Sequence, residues 1–205
     1  MGNQQKINTL IIGASSKLAD QYIKKYGVNR SNFFGISSKV HGVFRTPNIT
    51  IYDYTNASKL KSVNFDEILI LATRLPSENV SLQFFQNANE NVLNVLTNII
   101  IPNSLNTKIT FISTYSVYSP FENYLDENST TYSENDYAKS KLEMENSLVK
   151  LANSHEFSLM ILRMPVLLYK GVKTNFLGKL VNAIIHDKTA KLSNPNASLS
   201  LVFDV

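Results

Sequence analysis

The sequence predicts an α/β protein: a doubly wound parallel sheet with helices on both faces. Three observations point there. Short apolar runs alternate with helical spacings about six times along the chain. The runs are nearly continuous in apolar residues, as strands buried on both faces require. Polar and turn-forming residues that could carry chemistry (Gly13, Asp53, Thr73, Ser113 and Thr114) fall at the carboxyl ends of those runs, the edge where such sheets bind ligands.

The first strand is read at residues 7–12, ending in Gly13. Leu18, Ala19, Tyr22 and Ile23 then repeat at helical spacing, and Gly27 stands where that helix should stop. Strands follow at 32–37, at 49–52 before Asp53, and at 67–72, with a short helical segment closed by Leu60 and Val63. A long helix is expected over 78–101, stopped by Pro102. A fifth strand covers 108–112 and runs into Ser113 and Thr114. After a turn-rich stretch at 119–131, Ser133 is expected to cap a helix reaching residue 153, with Asp136 three residues on. The sixth strand is 158–162. Beyond Met164 the pattern loosens into a loop, an amphipathic helix at 175–185 and one more β-like run at 199–203. This divides the chain into a dinucleotide-binding domain at 1–165 and the start of a short substrate lobe at 166–205.

Composition narrows the class. The chain has 205 residues, 43% hydrophobic and 18% charged, enough to bury a core and too apolar for disorder. The absence of cysteine excludes a disulfide framework, a zinc–thiolate centre and a cysteine nucleophile. A net charge of +4 is scattered without a basic run, so no nucleic-acid partner is expected. No apolar run is long enough to span a bilayer, and the first residues carry no signal region, so the expectation is a soluble, cytoplasmic protein without a membrane partner. No metal site is expected.

Three groups of residues can carry chemistry. Between the first strand and first helix lies Gly13-Ala14-Ser15-Ser16-Lys17-Leu18-Ala19. A bound dinucleotide needs a tight turn, close backbone approach and a helix N-terminus aimed at the pyrophosphate. Gly13 supplies the turn and Ala19 the close packing, but Ser16 or Lys17 stands where a middle glycine is usual. The second group is Tyr137 and Lys141, four apart and so on one helix face. A phenol exchanges protons near neutral pH only if its pKa falls by roughly 3 units, about 4 kcal/mol, and an ammonium beside it acts in that direction. The third is Ser113-Thr114-Tyr115-Ser116, whose hydroxyls at a strand end can hold a substrate oxygen of changing charge.

Together these residues resemble the short-chain dehydrogenase/reductases, in the extended branch of nucleotide-sugar epimerases, dehydratases and reductases. The resemblance rests on Gly13, on Asp53, on residues 69–72, on residues 112–118, on Tyr137 and Lys141 with Glu145, and on Arg163 with Pro165. It implies a Rossmann-type sheet. It makes Tyr137 the proton donor or acceptor, Lys141 the residue that holds the nicotinamide ribose and tunes Tyr137, and Thr114 the catalytic hydroxyl. It also implies a cofactor site formed by Gly13, Ser15, Ser16, Leu18, Ser38, Lys39, Asp53, Tyr54, Ala72, Lys141 and Pro165, and substrate contacts from Thr73, Tyr115 and Asn175.

The departures carry information. Residues 33–45 contain no Asp or Glu to hold a ribose 2′-hydroxyl, while Ser38 and Lys39 could receive a 2′-phosphate, so NADP is expected over NAD. The 4,6-dehydratases carry an Asp-Glu pair after the catalytic Thr; here Tyr115 and Ser116 stand there, which disfavours dehydration. The family's substrate domain continues past a segment like 199–205, so this chain is read as truncated or as a naturally short member. Apolar surface near Phe203 would then favour a homodimer. The leading reading is an NADP- or NAD-dependent oxidoreductase or epimerase of a nucleotide-activated sugar. The alternative is a catalytically silent dinucleotide-binding or scaffold protein. The incomplete glycine turn and short C-terminus favour that alternative, and the retained Thr114, Tyr137 and Lys141 oppose it.

Overall fold

Parallel pairing organises the chain. The computed structural model describes residues 6–38, 49–72, 80–103, 106–119, 124–133, 135–155, 157–168, 176–186, 189 and 201–203. Within these, strands β1 (Ile7–Ile12), β2 (Ser31–Ile36), β3 (Ile49–Tyr52), β4 (Glu67–Ile70), β5 (Lys108–Thr114) and β6 (Ser158–Met164) form one sheet in the order β3-β2-β1-β4-β5-β6, every pair parallel. The chain reverses its direction of winding between β1 and β4, the crevice where such sheets take ligands. Strand β1 lies inside the sheet, between β2 and β4.

Helices cover both faces. Helix α1 (Lys17–Arg30) lies on one face, where Ile11, Ala14, Ala19, Ile23 and Phe33 form a small core. Helices α2 (Leu82–Val95) and α3 (Asp136–Ser154) lie on the other. There the larger core joins Leu10, Ile12, Ile68, Ile70, Ile109 and Phe111 of the strands to Val92, Val95, Met144 and Leu148 of the helices. The alternation of strand side chains assigns them to the two cores, odd-numbered β1 residues to one and even-numbered to the other.

Several boundaries differ from the sequence reading. Gly27 does break the helical geometry of α1, with φ of 64°, but the chain resumes a helical turn as far as Arg30. Strand β4 ends at Ile70 rather than 72, although the Leu71 amide still bonds the Ile12 carbonyl. Strands β5 and β6 each run two residues further than expected because their ladder continues through Thr114 and Met164. The long helix begins at Leu82, not 78; it passes through a π turn at Leu96–Ile100 and a 3₁₀ turn at Ile101–Asn103 that contains Pro102. The cap of α3 is Asn135, not Ser133, since Tyr132 is still hydrogen-bonded to the Val117 carbonyl in extended chain. Asn135 accepts the Ala138 amide at 2.9 Å. The expected loop after Met164 contains strand β7 (Val166–Leu168), which pairs in parallel with β8 (Leu201–Phe203) in a separate two-stranded sheet. Helix α4 spans Phe176–Ile185. No helix among the described residues is long and apolar enough to cross a membrane, and no group of metal-ligating side chains forms among them.

Candidate active site

The turn after β1 is fixed by contacts that only glycine allows. Gly13 has φ of +93°, and a Cβ there would lie 2.5 Å from the Ala72 amide nitrogen. Two expected cofactor residues, Gly13 and Ala72, are thus in backbone contact. The amides of Gly13 and Ala14 both donate to the Ile36 carbonyl, at 2.8 and 3.1 Å, which ties the turn to β2. Ser16 caps α1 by accepting the Ala19 amide at 3.1 Å, and the hydroxyls of Ser15 and Ser37 meet at 2.8 Å. Leu18 is half-buried in the first turn of α1. A close glycine approach beside a capped helix N-terminus fits a pyrophosphate. Of the two residues that stand where a middle glycine is usual, Ser16 caps the helix and Lys17 opens it.

Along the same edge, Asp53 caps the 3₁₀ helix Tyr54–Leu60, accepting the Asn56 amide and the Thr55 hydroxyl, each at 2.7 Å. Those hydrogen bonds hold its carboxyl below the ordinary value. Tyr54 packs against the large core, and burial pushes its phenol up to about 12. Ser38 is exposed just past β2, and Pro165 is half-buried between β6 and β7. Lys39, Thr73 and Asn175 lie outside the described residues.

The carboxyl end of β5 gathers the third group. Thr114 ends the strand and accepts the Ser116 amide at 3.2 Å. Tyr137, in the first turn of α3, also meets the edge of Phe85 from α2, with ring centroids 5.8 Å apart. Burial raises its pKa to about 12, and Thr114 pulls the other way. One turn along α3, Lys141 is buried, donates to the Ile112 carbonyl at 2.6 Å and lies over the Phe111 ring at 4.4 Å. Desolvation brings its ammonium down to about 7, opposed by the charge of Glu145. Tyr115 is exposed and meets Tyr118 edge-on.

Beneath this group is a buried network to which the sequence reading gave no role. Glu145, 3% exposed, accepts a short hydrogen bond from Ser113 and is clasped by Arg163 through Nε at 3.1 Å and Nη2 at 2.7 Å. The signal was present: Glu145 is a charge on the apolar stripe of α3, four residues from Lys141. The open cleft lined by Asn106, Ala152, His155 and Phe157 lies at the opposite, amino-terminal edge of β5 and β6 and contains none of the candidate residues.

With the geometry described, comparison with known proteins is informative. The model of the NAD dependent epimerase/dehydratase family matches residues 12–198. The chain belongs to this family. No curated protein matches the sequence. Among solved structures, UDP-N-acetylglucosamine 4-epimerase from Methanobrevibacter ruminantium M1 superposes with a TM-score of 0.77 at 17% identity, over 98% of this chain and 70% of that one. UDP-glucuronic acid 4-epimerase from Bacillus cereus, in complex with UDP-glucuronic acid and NAD, gives 0.77 at 16%, over 96% and 69%. The dTDP-glucose 4,6-dehydratase from Bacillus anthracis str. Ames, in complex with NAD, gives 0.74 at 12%, over 96% and 67%. At these identities the structural matches speak for the fold, and the family membership rests on the sequence match.

Proposed function

We propose that the protein is an NAD- or NADP-dependent oxidoreductase or epimerase acting on a nucleotide-activated sugar. The supporting observation is that Tyr137 and Lys141 stand one helical turn apart at the start of α3, while Thr114 ends β5 at the same edge of the sheet. The family match and the nucleotide-sugar ligands of the superposing epimerases point to the substrate class.

The turn at Gly13 and the N-terminus of α1 hold the pyrophosphate, with Ser15, Ser16 and Leu18 around it. Asp53, Tyr54, Ala72 and Pro165 complete the cofactor's surroundings. A bound nicotinamide cofactor would supply hydride transfer here. Tyr137 Oη takes the proton from the sugar hydroxyl at the carbon being oxidised and gives it back on reduction. Thr114 Oγ1 holds that same oxygen as its charge changes. Lys141 holds the nicotinamide ribose, and its cation favours the phenolate of Tyr137. Tyr115, Thr73 and Asn175 contact the substrate. With Tyr115 and Ser116 in place of an acid pair, no carboxylate follows Thr114 to assist loss of water, so reduction or epimerisation is favoured over dehydration.

The test is direct. The purified protein is incubated with UDP- and dTDP-linked hexoses and NAD or NADP, and with 4-keto sugar nucleotides and NADH or NADPH. Formation of a C4 epimer, or oxidation of the reduced cofactor, is expected with at least one pair. Tight cofactor binding without turnover on any of them would instead identify a silent dinucleotide-binding protein.

A further inference from the structure

Buried charge needs a reason, and Glu145 has the strongest claim to one in this molecule. It is nearly inaccessible, on the inward stripe of α3, among positions filled elsewhere by Ala138, Met144 and Leu148. A charge in such a place is costly unless paired and hydrogen-bonded. Here the pairing is built by strand register. Ser113 of β5 and Arg163 of β6 are direct cross-strand partners, and both side chains face α3. The Ser113 hydroxyl takes one carboxylate oxygen of Glu145, and the Arg163 guanidinium takes the other through two nitrogens. Arg163 is steadied in turn by the Tyr118 ring, 4.7 Å below its guanidinium carbon. The carboxylate therefore cannot turn away, and it sits one helical turn from Lys141.

We propose that Glu145, locked by Ser113 and Arg163, is a positioning residue that holds Lys141 in place beneath the candidate site and favours its protonated form. The proposal rests on the reading of Lys141 as the residue that holds the cofactor ribose. It adds that the ammonium, buried against the Phe111 ring and the Ile112 carbonyl, has a fixed counter-charge one helical turn away that opposes the loss of its proton. Lys141 meets the Phe111 ring and the Ile112 carbonyl of β5, with Tyr137 one turn before it and Glu145 one turn after it on α3, and Arg163 of β6 beyond Glu145. Helix α2 brings Phe85 to this end, and its Glu90 is exposed. The charge of Glu145 opposes the loss of the Lys141 proton that burial favours.

The experiment reads Lys141 directly. Lysine side chains are labelled with ¹³C at Cε, the Lys141 signal is assigned with Lys141→Met, and its chemical shift is followed against pH in the wild type, Glu145→Gln and Glu145→Asp. Gln keeps an acceptor for Ser113 and Arg163 but removes the charge. The Lys141 midpoint should fall by about one pH unit or more in Glu145→Gln, the size expected of a lost neighbouring counter-charge, and recover most of that fall in Glu145→Asp. If Glu145→Gln does not fold, Glu145→Gln/Arg163→Gln removes both charges together and should show a smaller fall in the same direction, because the Arg163 cation leaves with the carboxylate. An unchanged midpoint in the folded variant overturns the proposal. Binding of NADH or NADPH, followed by fluorescence over the same pH range, separates the two claims. A midpoint that falls together with an alkaline loss of binding that moves to lower pH supports both. A midpoint that falls while binding is indifferent to pH supports the role of Glu145 and removes the ribose role of Lys141.

Discussion

Gly13 shows how one residue fixes the site. A side chain there meets the Ala72 backbone at 2.5 Å, and the φ of +93° is unfavourable to any L-residue. Gly13→Ala should lose about 1–3 kcal/mol to backbone strain alone, with more from the clash, and should weaken cofactor binding because the turn must move from Ala72. A urea melt and a cofactor titration of the same variant check both. Tyr137→Phe removes a single oxygen, so packing against Phe85 should survive. Turnover should fall at least about 10²-fold, the usual worth of a general acid or base, with cofactor affinity nearly kept. Thr114→Val should also slow turnover without loss of affinity, whereas Lys141→Ala should lower both. Near-full activity in Tyr137→Phe would end the mechanism. Tyr137 and Lys141 were legible from their spacing alone because a helix turns every 3.6 residues. Their surroundings were not: burial raises the Tyr137 pKa and lowers that of Lys141, and burial depends on Phe85 and Phe111, which are distant in sequence.

Elements are held in register at their ends. Helix α2 lacks a side-chain cap of its own at Ser81; instead the Asp136 carboxylate, from the first turn of α3, accepts the Leu82 amide at 3.0 Å. Further along, Gln86 donates to Glu143 at 2.9 Å and Asn89 to the Ser140 carbonyl at 2.9 Å. The turn of α3 that carries Tyr137 is thus fastened to α2. Asn135→Ala should cost about 1 kcal/mol through loss of the α3 cap. Asp136→Ala should cost a similar amount and, unlike Asn135→Ala, should loosen α2. Amide hydrogen exchange is expected to quicken at the first residues of α2 in Asp136→Ala only. Long-range caps of this kind explain the misplaced boundaries. Ser133 looked like the cap because the local pattern fits, but the bridge between Tyr118 and Thr131 holds the preceding chain extended. The end of β2 bears on cofactor choice. The Ser37 hydroxyl is engaged by Ser15, Ser38 is exposed, and no acid stands in residues 33–45. NADP should therefore bind more tightly than NAD by calorimetry, and a clear preference for NAD would show that an acid from elsewhere reaches the ribose.

The whole molecule carries these groups as a pH-dependent stability. The parallel sheet was readable because it follows from apolar runs alternating with helical spacings. The pairing of Glu145 with Arg163 was not, since it depends on the β5–β6 register and the rotation of α3 above it. That same packing buries Lys141, Tyr137 and Tyr54, and each titrates differently once the chain unfolds. Lys141 loses its proton near 7 when folded and near its ordinary 10.5 when unfolded. Between those values the unfolded chain binds more protons, so stability rises with pH. Below about 7 both states are protonated and the cost of burying the cation is felt in full. Tyr137 and Tyr54 act in the opposite sense: they titrate near 12 when folded and near 10 when unfolded, so their contribution is lost as pH climbs from about 10 to 12. Stability should therefore increase from pH 7 to 9, by about 2–3 kcal/mol if Lys141 acts alone, and decline above 10. Lys141→Met removes the titrating group while keeping a side chain of similar length. Its urea midpoint should exceed that of the wild type at pH 7 and stay nearly level to pH 9. A wild-type midpoint that is flat over the same range would mean that Lys141 stays protonated in the folded protein, its charge fully met by the carboxylate one turn away.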